Sequence, residues 1–303
     1  MMNLITELSS KYDISIQLHC CDCSDWKKNE VMMKYIGNGM STNQLRNWYK
    51  SFGFELDPFN TVEYIYSKNN IEKLADQLNQ YLENRVPANV RLVELARVIA
   101  NVGLDNSLDL RYYYSSKALY TIDFFKAYAE YVKPYVMSAN GKSKKALIFD
   151  CDNTLWKGIL GEDGFDNIER SSRTKDGAIF AEIQSLALTL HKKGVLLGLC
   201  SKNNHGDVKE VIVTHPDMQL RDRHFAIKKI NWSDKVTNLK AIAQDLKLGL
   251  DSLVFVDNSL FEVNLIREKL PEVTVLQVPE RLYEYPKTLR KSMTLFYNLS
   301  FAE

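Results

Sequence analysis

The sequence lacks the features that mark secreted, membrane-spanning and nucleic-acid-binding proteins. Five cysteines among 303 residues are too few for a disulfide framework in a chain of this length. No run approaches the roughly 18 apolar residues that a membrane helix needs, and the N-terminus has no basic start or long apolar stretch of a secretory signal. A formal net charge of +1 gives no attraction toward nucleic acid or an anionic membrane. We therefore expect a cytoplasmic protein that binds neither.

The composition is that of an ordinary globular protein, with 45% hydrophobic and 25% charged residues. A length of 303 residues favours two domains. The small, polar and basic segment 138–145 is typical of a linker. We place one domain over residues 1–140, a second over 141–285 and a helical tail over 286–303.

The first domain is predicted to be a smaller α/β domain, rich in helices with scattered strands. Apolar residues at helical spacing predict a helix over residues 70–86. A second apolar stripe covers residues 90–102, and a third helix, rich in Tyr and Phe, is predicted over 121–136.

In the second domain, apolar strands alternate with helices. This rhythm predicts a parallel sheet with helices on both faces, in which ligands bind beyond the carboxyl ends of the strands. The predicted strands are 146–150, 195–200, 224–227, 252–257 and 273–278, and the predicted helices are 178–193, 235–246 and 260–270.

Two aspartates end the first of these strands. Four apolar residues lead directly into Asp150 and Asp152, whose side chains emerge on the same side because side chains alternate along a strand. Two such carboxylates repel each other, and burial makes both harder to ionise. A divalent cation between them, or acid/base work by one of them, would explain the pair. The alternative is an ordinary turn, which Asp and Asn also favour.

Further polar residues follow two other strands. Ser201, Lys202 and Asn203 come after the second strand and can hydrogen-bond the oxygens of an anion. Asp257 and Asn258 come after the strand that precedes the last helix. A third carboxylate at this edge would complete an oxygen-rich site suited to Mg²⁺.

Lys235 lies in the first turn of a predicted helix, with Ser233 or Asp234 as the N-cap. A cation is disfavoured there by the helix dipole. Lys235 is therefore either an ordinary solvated lysine, or it balances the aspartates and contacts phosphate.

These motifs resemble those of the haloacid dehalogenase (HAD) superfamily, at residues 150–154, Ser201, Lys235 and Asp257. More narrowly, residues 142–278 resemble the FkbH-like branch. Residues 84–141 show a fainter resemblance to the end of the SGNH-hydrolase-like domain that precedes the phosphatase domain in that branch. The segments that carry the narrower resemblance are 141–145, 152–156, 158–164, 200–204, 231–232 and 261–262.

The resemblance implies a HAD-like Rossmannoid sheet with a minimal cap, and an aspartyl-phosphate mechanism. Asp150 would attack a phosphoryl group, and Asp152 would protonate the leaving oxygen and then activate water. Ser201 and Lys235 would hold the phosphoryl oxygens. The implied Mg²⁺ ligands are Asp150, Asp152 through its backbone carbonyl, Asp257 and Asn258, and the implied phosphate or substrate ligands are Thr154, Ser201, Lys202, Asn203 and Lys235.

The FkbH-like branch is associated with dephosphorylating 1,3-bisphosphoglycerate and loading its glyceryl group onto an acyl carrier protein. Residues 156–164 would form a small flap, because only 51 residues separate Asp150 from Ser201 and no large cap fits between them. Cys151 and Cys200 are expected to be core residues rather than acyl acceptors, so the thiol would come from the carrier.

Two departures from the branch leave alternatives open. Asn258 stands where the branch has a second aspartate, and the first domain has no Gly-Asp-Ser block to supply a serine nucleophile. The alternatives are a stand-alone small-molecule phosphatase and a catalytically weak scaffold that binds a carrier protein.

Overall fold

A computed structural model describes residues 16–19, 70–87, 90–116 and 118–298. The chain forms two compact units, Met1–Lys133 and Pro134–Glu303. The division lies inside a helix, Ile122–Ala139, a few residues before the predicted linker. That helix confirms the third helix predicted for the first domain and extends it by one turn.

The described part of the first unit combines a two-stranded parallel sheet with short helices. The predicted helix over 70–86 is present, whereas the stripe over 90–102 divides into a strand and a helix. A core of buried apolar residues, with Val93, Val98 and Phe124 among them, joins the strand Val90–Val93 to the helices Leu95–Val102 and Ile122–Ala139. The elements are β1 (Ile16–His19), α1 (Asn70–Glu83), β2 (Val90–Val93), α2 (Leu95–Val102), α3 (Leu104–Ser107), α4 (Leu110–Ser116) and α5 (Ile122–Ala139).

The second unit is built on a five-stranded sheet in which every neighbouring pair is parallel. The strand order is β5-β4-β3-β6-β7, which places β3 at the centre, and all five predicted strands are present. The strands are β3 (Ala146–Phe149), β4 (Leu196–Ser201), β5 (Phe225–Ile230), β6 (Leu253–Asp257) and β7 (Thr274–Gln277).

Helices cover both faces of this sheet, as predicted. Alternate residues of β3 serve different cores: Leu147 and Phe149 pack into one, and Ala146 and Ile148 into the other, as the two-residue period of a strand requires. Apolar residues of α7, α8 and α11 fill the first core, and those of α9 and α10 fill the second. The helices are α6 (Leu160–Asp163), α7 (Lys175–Lys192), α8 (His205–Thr214), α9 (Lys235–Asp245), α10 (Leu260–Lys269) and α11 (Tyr285–Ser292).

Two elements differ from the prediction. Helix α8 was not predicted, because its first turn is polar, although Val208, Val211 and Ile212 are buried at helical spacing. Strand β5 runs three residues further than predicted, through Lys228 and Lys229, whose amines pair with Asp222 and Asp245. A strand at the edge of a sheet tolerates such charged residues.

The parallel arrangement brings the carboxyl ends of all five strands to one edge of the sheet, which is where a ligand site is expected. Among the described residues, no helix is both long and apolar enough to cross a lipid bilayer.

Candidate active site

The centre of the site is a buried lysine held between two buried aspartates. Lys235 Nζ lies 3.0 Å from Asp150 Oδ1 and 2.6 Å from Asp257 Oδ2. Strands β3 and β6 are paired so that Phe149 lies opposite Val256, which sets the two aspartates side by side at the strand ends. The side chains are nearly inaccessible, with relative exposures of 6%, 0% and 4% for Asp150, Asp257 and Lys235.

The start of α9 delivers Lys235 to this position. The side chain of Asp234 caps the helix by accepting a hydrogen bond from Thr237 N at 2.8 Å, which makes Lys235 the first helical residue. The side-chain amides of Asn231 and Asn238 donate to each other's oxygens, fixing the loop before the helix. Because Lys235 is buried and paired with two carboxylates, the solvated-lysine interpretation is wrong.

Strand β4 contributes Ser201 and Asn203. Ser201 is buried at the end of the strand, and its hydroxyl lowers the pKa of Asp150. Asn203 Nδ2 donates to Ser201 Oγ at 3.3 Å and to Asp152 Oδ2 at 2.9 Å. The structure therefore brings together six of the residues singled out from the sequence: Asp150, Asp152, Ser201, Asn203, Lys235 and Asp257.

Asp152 connects this centre to the flap. Its Oδ1 accepts hydrogen bonds from Trp156 Nε1 at 3.0 Å and from Leu160 N at 3.1 Å. Between them, Asn153 has a left-handed backbone, with φ of 51°, and its Oδ1 accepts from Gly158 N. Asn tolerates this conformation because its short side chain can bond to nearby backbone.

The structure is similar to a crystal structure of the N-terminal part of protein BF1531 from Bacteroides fragilis, which contains a phosphatase domain and was solved in complex with Mg. The TM-score is 0.69 at 27% identity, over 89% of this chain and 77% of that one. The sheet domain has a HAD-like Rossmann fold.

A second solved structure is 3-deoxy-D-manno-octulosonate 8-phosphate phosphatase from Moraxella catarrhalis, in complex with magnesium ion, phosphate ion and KDO. Its TM-score is 0.34 at 14% identity, over 55% of this chain and 94% of that one. Neither a protein-family model nor a curated protein matches the chain.

Burial and charge act against each other on the ionisable groups of the HAD-like domain. Burial raises the pKa of Asp150 to about 6, and the charge of Asp257 adds to this, whereas Lys235 and the Ser201 hydroxyl oppose it. Burial alone would lower the pKa of Lys235, but the two carboxylates outweigh it and the pKa is raised. Lys235 therefore stays charged across the physiological range.

The donor set at the centre fits Mg²⁺. Asp150 and Asp257 supply two carboxylates within the reach of one cation, because a single ammonium nitrogen contacts both. Among the described residues, no three His, Cys, Asp or Glu side chains are grouped closely enough to hold a metal ion by themselves. Mg²⁺ is typically bound by a few carboxylates, and water and substrate phosphate complete its coordination. A structural zinc site is instead completed by protein side chains alone.

Three other predicted ligands have different surroundings. Lys202 pairs with Glu262 Oε1 at 2.6 Å, Thr154 is fully buried, and Asn258 is exposed after β6. The backbone carbonyl of Thr154 accepts a hydrogen bond from Tyr285 at 3.1 Å. Their roles as phosphate or metal ligands stay predictions.

Cys151 and Cys200 are buried core residues, as expected. Each is fully inaccessible, and burial raises the pKa of both thiols. Neither is suited to be an acyl acceptor, because the reactive form of cysteine is the thiolate.

Sequence reasoning did not identify Trp156 as a hydrogen-bond donor to Asp152. It also did not identify Glu262 as the partner of Lys202. A polar residue four positions before a tryptophan was a usable signal for the first contact. The second joins residues 60 positions apart, and no local pattern indicates it.

We expect the stability difference between wild type and Asp150→Asn to depend on pH. Between the ordinary carboxyl pKa of 3.8 and about 6, the folded protein keeps a proton on Asp150 that the unfolded chain releases. The unfolding free energy of the wild type therefore falls as pH rises through this window, whereas the variant lacks this component. In urea denaturation of both proteins in EDTA, the unfolding free energy of the variant should rise relative to that of the wild type from pH 4 to pH 6. A difference that is flat across the window would contradict the shifted pKa.

Proposed function

We propose that the chain is a Mg²⁺-dependent phosphatase or phosphotransferase of the HAD type, acting through an aspartyl-phosphate at Asp150. The observation that carries this proposal is the buried group of Lys235 between Asp150 and Asp257 at the carboxyl edge of the sheet. The three buried charges would contribute little to the stability of the fold, because burying charges costs several kcal/mol per ion. A catalytic role explains the group better. Similarity to a phosphatase domain solved with Mg supports the same conclusion.

The residues divide the reaction among them. Asp150 attacks phosphorus and displaces the leaving oxygen, which splits one difficult displacement into two easier ones. Asp152 gives a proton to that oxygen and later takes one from the attacking water. Lys235 and Ser201 offset charge on the phosphoryl oxygens.

Mg²⁺ would be held by Asp150, Asp257, the backbone carbonyl of Asp152 and Asn258. When bound, it would neutralise charge on the phosphoryl group.

We expect release of phosphate from p-nitrophenyl phosphate in the presence of Mg²⁺, and loss of this activity in EDTA that is reversed by added Mg²⁺. A purified, folded chain that hydrolyses no phosphate ester or acyl phosphate under these conditions would instead favour the scaffold alternative, which Asn258 motivates.

The substrate that we propose is a small acyl phosphate of the 1,3-bisphosphoglycerate type. Asp150 takes its ester phosphoryl group, and the thiol of an acyl carrier protein attacks its acyl carbon, so that the acyl phosphate leaves as inorganic phosphate with the thiol proton and the glyceryl group becomes a thioester on the carrier. The sequence resemblance to the FkbH-like branch supports this, as do Trp232 and Phe261, which are each 70% exposed and follow β5 and β6 at the edge of the site. Buried Cys151 and Cys200 favour direct attack by the carrier's own thiol.

Mass spectrometry of a carrier protein incubated with the chain and the acyl phosphate should detect added glyceryl. Phosphate release without any glyceryl on the carrier would favour the stand-alone phosphatase.

A further inference from the structure

The two carboxylate oxygens of Asp152 have unequal surroundings. Oδ1 accepts two hydrogen bonds, from Trp156 Nε1 and Leu160 N, at 3.0 and 3.1 Å. Oδ2 accepts one, from Asn203 Nδ2 at 2.9 Å. Since each carboxylate oxygen has about two acceptor positions, Oδ1 is fully used and Oδ2 has one position left.

Oδ2 shares its hydrogen-bond donor with the centre of the site. The Asn203 amide that donates to Oδ2 also donates to Ser201 Oγ, at the end of the strand beside the one that leads into Asp150. Oδ2 is therefore tied to the strand ends, whereas Oδ1 is bound by the flap.

Trp156 is a rigid anchor for Oδ1. It is fully buried in the core of the sheet domain. The chain on either side is fixed as well: the carbonyl of Leu155 accepts from Gln184 Nε2 at 3.0 Å, and Lys157 exchanges two backbone hydrogen bonds with Glu169. The indole N–H cannot follow Asp152 without disturbing this packing, so the contact orients the carboxylate rather than adapting to it.

We infer that Trp156 is a positioning residue for Asp152, holding Oδ1 so that Oδ2 is the atom that transfers the proton. This inference rests on the proposed function. In the first step the bond from phosphorus to the leaving oxygen breaks, a bond from phosphorus to an Asp150 oxygen forms, and the proton on Oδ2 moves to the leaving oxygen. In the second step water attacks phosphorus, the Asp150 bond breaks, and a water proton returns to Oδ2.

Leaving groups of different basicity test the inference. A poor leaving group such as phenoxide needs the proton from Asp152, whereas 2,4-dinitrophenoxide departs without one. Removing the indole N–H should therefore lower kcat/KM for phenyl phosphate about tenfold, the effect of one hydrogen bond to a charged group. For 2,4-dinitrophenyl phosphate the change should stay within about twofold, because proton donation contributes little there. A merely structural role of Trp156 would lower both values alike.

The variants are Trp156→Phe and, in case the smaller ring fails to fold, a protein with 3-benzothienylalanine at position 156, which has sulfur in place of the indole N–H. Phe180→Leu is the matched control, since Phe180 is buried in the same core as Trp156 and is not a hydrogen-bond donor to Asp152. It should leave the ratio of the two kcat/KM values unchanged.

The outcomes separate this inference from the proposed function. An active wild type whose substrate ratio is unaltered by both changes at position 156 would overturn the positioning role and leave the function intact. A wild type that hydrolyses neither ester would overturn the proposed function, and the inference with it. A selective loss with phenyl phosphate in either variant supports both.

Discussion

Replacing Lys235 by methionine is expected to lower the unfolding free energy by about 3–5 kcal/mol, the usual cost of removing one partner from a buried ion pair, and to abolish turnover. Methionine fills similar volume but leaves Asp150 and Asp257 buried without a counter-charge. Urea denaturation at pH 7.5 measures the loss. It should shrink near pH 5, because Asp150 can then take up a proton.

Lys229→Met is the matched control. Lys229 pairs with Asp245 at 2.7 Å, but the Asp245 side chain is half exposed, so its removal should cost no more than about 1 kcal/mol. Equal losses in the two variants would contradict the claim that Lys235 compensates buried charge. If Lys235→Met does not fold, the double variant Lys235→Met/Asp257→Asn decides, since removing one of the stranded carboxylates should restore folding.

Asp150→Asn is expected to reduce hydrolysis of p-nitrophenyl phosphate by roughly 10⁴-fold or more, as loss of a catalytic nucleophile does in other enzymes. The amide has the shape of the carboxylate but cannot attack phosphorus, and Lys235 keeps Asp257 as a partner at 2.6 Å. The fold should therefore survive while the activity does not. Steady-state kinetics and urea denaturation of the same preparation measure the two effects.

Asp245→Asn serves as the control for this substitution, because it makes the same chemical change in a half-exposed aspartate on the far end of α9. It should leave kcat unchanged. An Asp150→Asn protein with more than about a tenth of wild-type activity would show that another group attacks phosphorus, since loss of a true nucleophile costs several orders of magnitude.

The sheet of the second domain was predictable from sequence because its strands are buried on both faces and appear as short apolar runs. The parallel topology then placed the residues after those runs at one edge, which is why Asp150, Ser201, Lys235 and Asp257 could be assigned to one site before the structure. The helix His205–Thr214 was missed because its polar first turn hides the apolar spacing that follows.

The contacts within the site were less predictable. The indole of Trp156 reaches Asp152 because the intervening turn is closed by Asn153 and Gly158, and hydrophobic periodicity carries no information about such a turn. Lys202 has the charge of a phosphate ligand, but Glu262 on α10 pairs with it. Side-chain contacts between distant strand ends depend on how the helices pack against the sheet, and no local sequence pattern predicts that packing.

The central claim is that a phosphoryl group becomes bonded to Asp150, and trapping that bond tests it most directly. The chain is mixed with a phosphorylated substrate and Mg²⁺ and quenched rapidly in acid. Borohydride then reduces any acyl phosphate to an alcohol, and the peptides are sequenced by mass spectrometry. We predict homoserine at position 150 in the wild type and no reduced residue in Asp150→Asn. Homoserine at position 152 or 257, or turnover without any reduced aspartate, would contradict the account.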